Sequence, residues 1–165
     1  MSQNALRVSR TDSGYVVHIP CRGTMRESHA MHAFADSVVR EICSLTINLQ
    51  DCNYLDSTFL GCLVAFQRRL GCVDGEPRLK LAASPAKVKQ LLDPLKLSQL
   101  FQRVDDAPPT MGHEVELPAS TPGGCDFAQH VMECHRQLAS IEGPNQAMFA
   151  KITEKMAAEL EQKNG

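Results

Sequence analysis

The sequence predicts an α/β protein: a mixed sheet with helices packed on one face, followed by a C-terminal helical extension. Three observations carry this. Apolar and polar residues alternate over short runs such as Leu45-Thr-Ile-Asn-Leu-Gln50, the two-residue period of a half-buried strand. Between such runs apolar residues recur at steps of three and four, the period of an amphipathic helix. A Pro- and Gly-rich stretch over 107–125 then separates this pattern from two further helical stripes. The expected division is 1–106 for the α/β domain, 107–125 for a linker and 126–165 for the extension.

Leu6 to Arg10 and Tyr15 to Cys21 read as strands joined through a hairpin-like turn at Asp12-Ser-Gly14. Ser28 reads as the cap of a helix whose stripe is Met31, Phe34, Ala35, Val38 and Ile42. In the next strand Leu45, Ile47 and Leu49 face one way, and Thr46, Asn48 and Gln50 the other. A strand covered on both faces would be apolar throughout, so helices are expected on one face only. Thr58 to Leu70 follows as a helix on Phe59, Leu63, Phe66 and Leu70, with Gly71 as its stop. Leu79 and Leu81, flanked by Arg78 and Lys80, repeat the strand alternation.

Ser84-Pro85 sets a capping hydroxyl before a proline at the first helical position. Val88, Leu91, Leu92 and Leu95 supply that helix's stripe, Pro94 limits it, and Leu97 to Phe101 reads as a further short turn. The order is β-β-α-β-α-β-α, with right-handed crossovers expected between parallel strands. Within 107–125 only His113 to Leu117 alternates, as a short edge strand would. In the extension, Asp126 reads as a cap and Phe127, Val131, Met132, Leu138 and Ile141 as one stripe. Gly143-Pro144 breaks it, and Phe149, Ile152, Met156 and Leu160 form another. The pair is expected to pack back on the sheet or the helix layer, or else to join two protomers or dock a partner.

Composition narrows the function. Lys+Arg number 17 against 19 Asp+Glu, a net charge of −2, whereas a nonspecific nucleic-acid binder is markedly basic. At 43% hydrophobic residues the chain is no disordered acidic tail. No apolar run approaches the length of a membrane span, and Met1 to Arg10 lacks the apolar core of a signal peptide. The seven cysteines have no CxxC spacing and fit no usual zinc set. Free thiols without an export signal lead to the expectation of a reducing cytoplasm, with Cys43, Cys52, Cys62 and Cys72 packing as small hydrophobes. His29 and His32 share a helix face but lack a third ligand. His130, Cys134 and His135 read as a wet helix face with one small buried thiol. No P-loop, GxGxxG, GxSxG or HExxH pattern occurs, so neither an enzyme nor a cofactor is expected.

One segment carries more signal. The run Tyr54-Leu-Asp-Ser-Thr-Phe-Leu-Gly61 resembles the Asp-Ser-Ser-Gly-Leu-Gly signature of STAS domains, the fold of anti-sigma factor antagonists. Leu79-Lys-Leu-Ala-Ala-Ser-Pro-Ala-Lys-Val-Lys-Gln-Leu-Leu92 is similar to that family's strand and Ser-Pro-capped helix. Leu95-Lys-Leu-Ser-Gln-Leu-Phe101 is similar to its closing helix and turn. The resemblance covers roughly Tyr15 to Asp106. Two departures stand out: Thr58 replaces the second Ser, and Phe59 replaces the Gly. Arg22-Gly-Thr-Met-Arg26 keeps a glycine but lacks the acidic residues of the family's Gly-Glu-Leu-Asp-like stretch.

A serine at a helix N-terminus presents its hydroxyl beside unpaired backbone N–H groups. A phosphate there would bring roughly −1.5 to −2 of charge, tolerated by the helix dipole and repelled by Asp56. The resemblance implies Ser57 as the phosphoacceptor, with Thr58 as the fallback, and Asp56, Ser57, Thr58 and Phe59 as a partner-binding surface. It further implies an anti-sigma factor that is itself a Ser kinase as partner, released on phosphorylation, and a metal-dependent Ser/Thr phosphatase that resets the switch. Direct binding to nucleic acid or membrane is not expected, and a homodimer through the C-terminal helices is the alternative to their packing back on the domain. The rival expectations are a constitutive interaction module, in which Ser57 only caps a helix, and a small-ligand or nucleotide sensor.

Overall fold

A computed structural model describes residues 5–164 apart from 39, 42 and 144. Ile42 and Pro144, expected in a helix stripe and at a helix break, lie outside the described residues. Six strands form one mixed sheet. β1 (Leu6–Arg10) and β2 (Gly14–His18) make the antiparallel hairpin read from the sequence. β2, β4 (Ser44–Asn48), β8 (Leu79–Ala82) and β9 (Gln102–Val104) run parallel. β10 (Met111–Leu117) returns antiparallel along β1. The stretch expected as a linker therefore contributes an edge strand, slightly longer than the alternating His113–Leu117 core.

Register sorts the two faces. Val8, Val17, Ile47 and Leu81 lie in one row across the sheet, and together with Ile19, Leu45 and Leu79 they belong to the hydrophobic core. The opposite face carries Arg7, His18, Asn48 and Lys80. There Arg7 Nη2 donates to His18 Nδ1 at 2.8 Å, and His18 Nε2 contacts Asp51 at 2.8 Å. Thr46 is buried on this face, so the alternation marks polarity more faithfully than exposure.

The core side is covered by α1 (Met25–Val38), α2 (Ser57–Leu70) and α3 (Pro85–Leu92). α1 begins before Ser28. Glu27 Oε2 accepts the Thr24 N–H at 3.2 Å, and Thr24 Oγ1 accepts that of Arg26 at 3.3 Å: a capping box. Ser28 is buried inside the helix instead. α2 stops where expected, at Gly71 with φ 63°, but it starts at Ser57 rather than Thr58 and is capped by Asp56, not by Ser57. α3 starts where expected, Ser84 Oγ accepting the Lys87 N–H at 3.2 Å. Asp93–Leu95 and Ser98–Leu100 follow as 3-10 turns. Two short strand pairs complete this region, β3 (Arg22–Gly23) with β5 (Tyr54–Leu55), and β6 (Cys72–Val73) with β7 (Glu76–Pro77).

The C-terminal helices α4 (Gly124–Ala139) and α5 (Gln146–Asn164) pack on the helix layer: α4 lies against α2, and α5 against α4. The buried stripe of α4 is Phe127, His130, Cys134 and Leu138. The expected stripe through Val131 and Met132 is thus rotated, and both residues are half-buried. The reason lies on the facing helix. At Gly61 a side chain would fall on the carbonyl oxygen of Cys134, so the two backbones cross closely, where small and polar groups fit. Asp126 lies in the first turn of α4 rather than at its cap, Gly123. Of the cysteines expected to pack as hydrophobes, Cys52 and Cys62 are buried, whereas Cys43 and Cys72 are exposed and Cys134 is buried. Among the described residues no helix is long and apolar enough to cross a membrane.

Candidate functional site

The loops leaving β2 and β4 are drawn together by the short parallel pair of β3 and β5. Asn53 N–H donates to Cys21 O at 2.7 Å, and Asp56 N–H to Gly23 O at 2.9 Å. This brings the start of α1 beside the start of α2, at the carboxyl ends of the parallel strands, where α/β sheets place their sites.

Asp56 is the junction. Its Oδ1 accepts the N–H of Phe59 at 2.8 Å, capping α2. Its Oδ2 accepts the N–H of Met25, the first residue of α1, also at 2.8 Å. Burial pushes its carboxyl above the ordinary range, while these two N–H bonds pull the other way.

Ser57 follows as the first residue of α2, half-buried. It borders a groove of about 280 Å³ that also touches Asn53, Tyr54, Gln90 and Pro94. Thr58 and Phe59 do not share this surface. Thr58 is 3% exposed and Phe59 0%, because the second and third positions of the turn point toward the core. The Phe59 ring fills the space that Gly23 leaves; a Cβ on Gly23 would meet Phe59 Cδ2 at 2.6 Å and Leu55 Cδ2 at 2.7 Å. The bulky replacement in the signature is thus a packing change, and the expected partner surface contracts to Asp56 and Ser57.

From the other side comes His135 of α4. Its Nε2 lies 3.2 Å from Ser57 Oγ and 3.3 Å from Thr58 Oγ1. Its Nδ1 is buried with no hydrogen-bond partner among the described residues. A buried lone pair is less costly unpaired than a buried N–H, so the proton sits on Nε2, which donates to the two hydroxyls. Burial lowers the His135 pKa against the opposing pull of Asp56. A serine–histidine pair invites comparison with nucleophilic catalysis. That chemistry needs an orienting group on the Nδ1 of the base, and none is found beside His135 among the described residues.

A second cluster lies beneath the same crossing. Cys62 of α2 and His130 and Cys134 of α4 are all buried, and their donor atoms lie within 4.8 Å of one another. The rings of His29 and His32 each lie 5.2 Å from that of His130. Burial and these two neighbours hold the His130 imidazole down at a pKa of about 4. Cys134 and burial push the Cys62 thiol well up. Sequence spacing missed this cluster, because its members come from two helices more than sixty positions apart. The His130/Cys134 step of four was the one visible trace.

Neither a family model nor a curated protein matches this chain. Among the described residues the chain is an α/β protein with a mixed six-stranded sheet and five α-helices.

Proposed function

We propose that the chain is a STAS-type interaction module and works as a phospho-switch resembling the anti-sigma factor antagonists, with Ser57 as the phosphoacceptor. The single observation that carries this reading is the sorting of the two hydroxyls. Ser57 is half-buried and borders a groove, while Thr58 is buried. Phosphate on Ser57 would lie at the N-terminus of α2, which favours it, and next to Asp56, which does not. Its charge would act on whatever docks along the groove. The partners in this reading are an anti-sigma factor with Ser-kinase activity and a metal-dependent Ser/Thr phosphatase, acting in the cytoplasm.

Mass spectrometry of the chain isolated from its own cells, in growth and under stress, tests the proposal. Phosphate on Ser57 with condition-dependent occupancy is expected. A fully covered, unmodified Ser57 peptide in both states overturns the switch. The second reading, a constitutive interaction module, then stands. It draws support from α4, which holds Ser57 through His135 and leaves the hydroxyl as part of the scaffold.

A further inference from the structure

We propose that Cys62, His130 and Cys134 bind a thiophilic divalent metal ion of the zinc class, with the fourth position toward the cavity beside His32 and Asp36. The site goes beyond the switch reading and stands without it.

The donor set is of the right kind. Two sulfurs and an imidazole are the ligands that zinc takes in tetrahedral sites. Two thiolates would neutralise a divalent ion, so the filled site carries no net charge into the buried seam. On binding, each thiol gives its proton to solvent, and both sulfur electron pairs pass to the ion.

The histidine is held in a tautomer that suits the task. Ser28 Oγ donates its one proton to Met25 O at 3.0 Å. Its lone pairs therefore accept from His130 Nε2–H at 2.9 Å. That fixes the tautomer and leaves Nδ1 with the free lone pair, 3.9 Å from Cys134 Sγ. Metal-bound histidines are commonly held through their second nitrogen in this way. The contacts the cluster makes within itself are weak by comparison. Cys134 Sγ lies 3.6 Å from His130 Nε2, and Cys62 Sγ meets Ser28 O at 3.8 Å and the Cys134 thiol. Thiols are poor donors, and a seam chosen for packing alone would be apolar.

The cavity supplies the rest. A space of about 420 Å³ touches all three donors together with His29, His32 and Asp36. His32 Nε2 lies 3.2 Å from Asp36 Oδ2, the carboxylate–histidine pairing that orients a ligand imidazole. Because one donor stands on α2 and two on α4, a bound ion would clamp α4 across α2, one residue from the His135 that contacts Ser57.

The test is titration of the reduced full-length chain with Co²⁺ and then Zn²⁺. One equivalent of Co²⁺ should give a thiolate-to-metal charge-transfer band and intense tetrahedral visible bands, removed by one equivalent of Zn²⁺. Cys62→Ser or His130→Gln should weaken binding by more than the roughly 10- to 100-fold that an orienting partner alone is worth. Replacing the four exposed cysteines, Cys21, Cys43, Cys72 and Cys125, by serine should leave the signal intact. Should the single-site variants fail to fold, alkylation of the wild-type chain decides: Zn²⁺ should protect Cys62 and Cys134 selectively. Absence of the bands, their loss in the four-serine variant, or equal alkylation with and without Zn²⁺ overturns the site.

Discussion

The carboxylate of Asp56 caps a helix to which it does not belong: its Oδ2 accepts the N–H of Met25 at 2.8 Å, while Oδ1 serves Phe59 of its own helix. One side chain thus ties the starts of α1 and α2 together and sets Ser57 at their junction. Asp56→Ala should cost about 2–4 kcal/mol, since two helix N–H groups lose their acceptor. Ser84→Ala, at the exposed cap of α3, should cost about 1 kcal/mol. Urea unfolding of the two variants checks the ratio.

The same residue has a pH signature. Burial raises its folded pKa above the usual 3.8, so the folded state takes up the proton before the unfolded one. Between the raised value and 3.8 the native chain binds more protons, and stability from this group rises as pH falls. Asp56→Asn abolishes that titration. The stability of the wild type relative to Asp56→Asn should therefore increase on acidification through this window and level off below it. A difference that shrinks on acidification would show that the two N–H bonds, not burial, dominate.

Phe59 and Gly23 form a matched pair. Gly23→Ala should cost about 1–3 kcal/mol through overpacking, because its Cβ would meet the Phe59 ring at 2.6 Å. Phe59→Leu removes that ring edge. In a double-mutant cycle the two changes should be clearly less than additive.

Gly61 controls the cover over Ser57. Any side chain there falls on the carbonyl of Cys134, so Gly61→Ala should lift α4 from α2. Amide exchange over Gly124–Ala139 should accelerate, while the central strands β2, β4 and β8 stay protected. Equal acceleration across the sheet would mean that the crossing is part of one cooperative unit.

Ending the chain after Gly123 tests how far α4 and α5 are needed. Cys134, Leu138 and Phe149 belong to the same hydrophobic core as the sheet. Their removal strips the outer face of α2 and should cost on the order of 5 kcal/mol or more, seen as a lower melting midpoint and new binding of a hydrophobic dye. An unchanged midpoint would make the extension an accessory.

Local physical chemistry made much of this protein legible from its sequence alone. Period-two runs marked β4 and β8, because a strand with one buried face must alternate, while β1 and β2 were marked by a Val- and Ile-rich run and a hairpin turn. Gly71 and Ser84-Pro85 marked helix ends, because the unpaired groups there need a left-handed turn or a side-chain acceptor. The Asp56-Ser57 turn marked the candidate site, because a strand-to-helix turn is built from neighbours in sequence, but the sequence read Ser57 as the cap and the structure gives that role to Asp56. The rest was settled by tertiary structure. The burial of Phe59 depends on Gly23, more than thirty positions away, leaving room for its ring. The stripe of α4 runs through His130 and Cys134 rather than Val131 and Met132 because Gly61 and Ser28, on two other helices, offer a shallow and polar seat. The contact of His135 with Ser57 and the meeting of Cys62 with Cys134 exist only once α4 folds back across α2. No periodicity encodes such contacts, because they depend on which faces of distant helices are brought together.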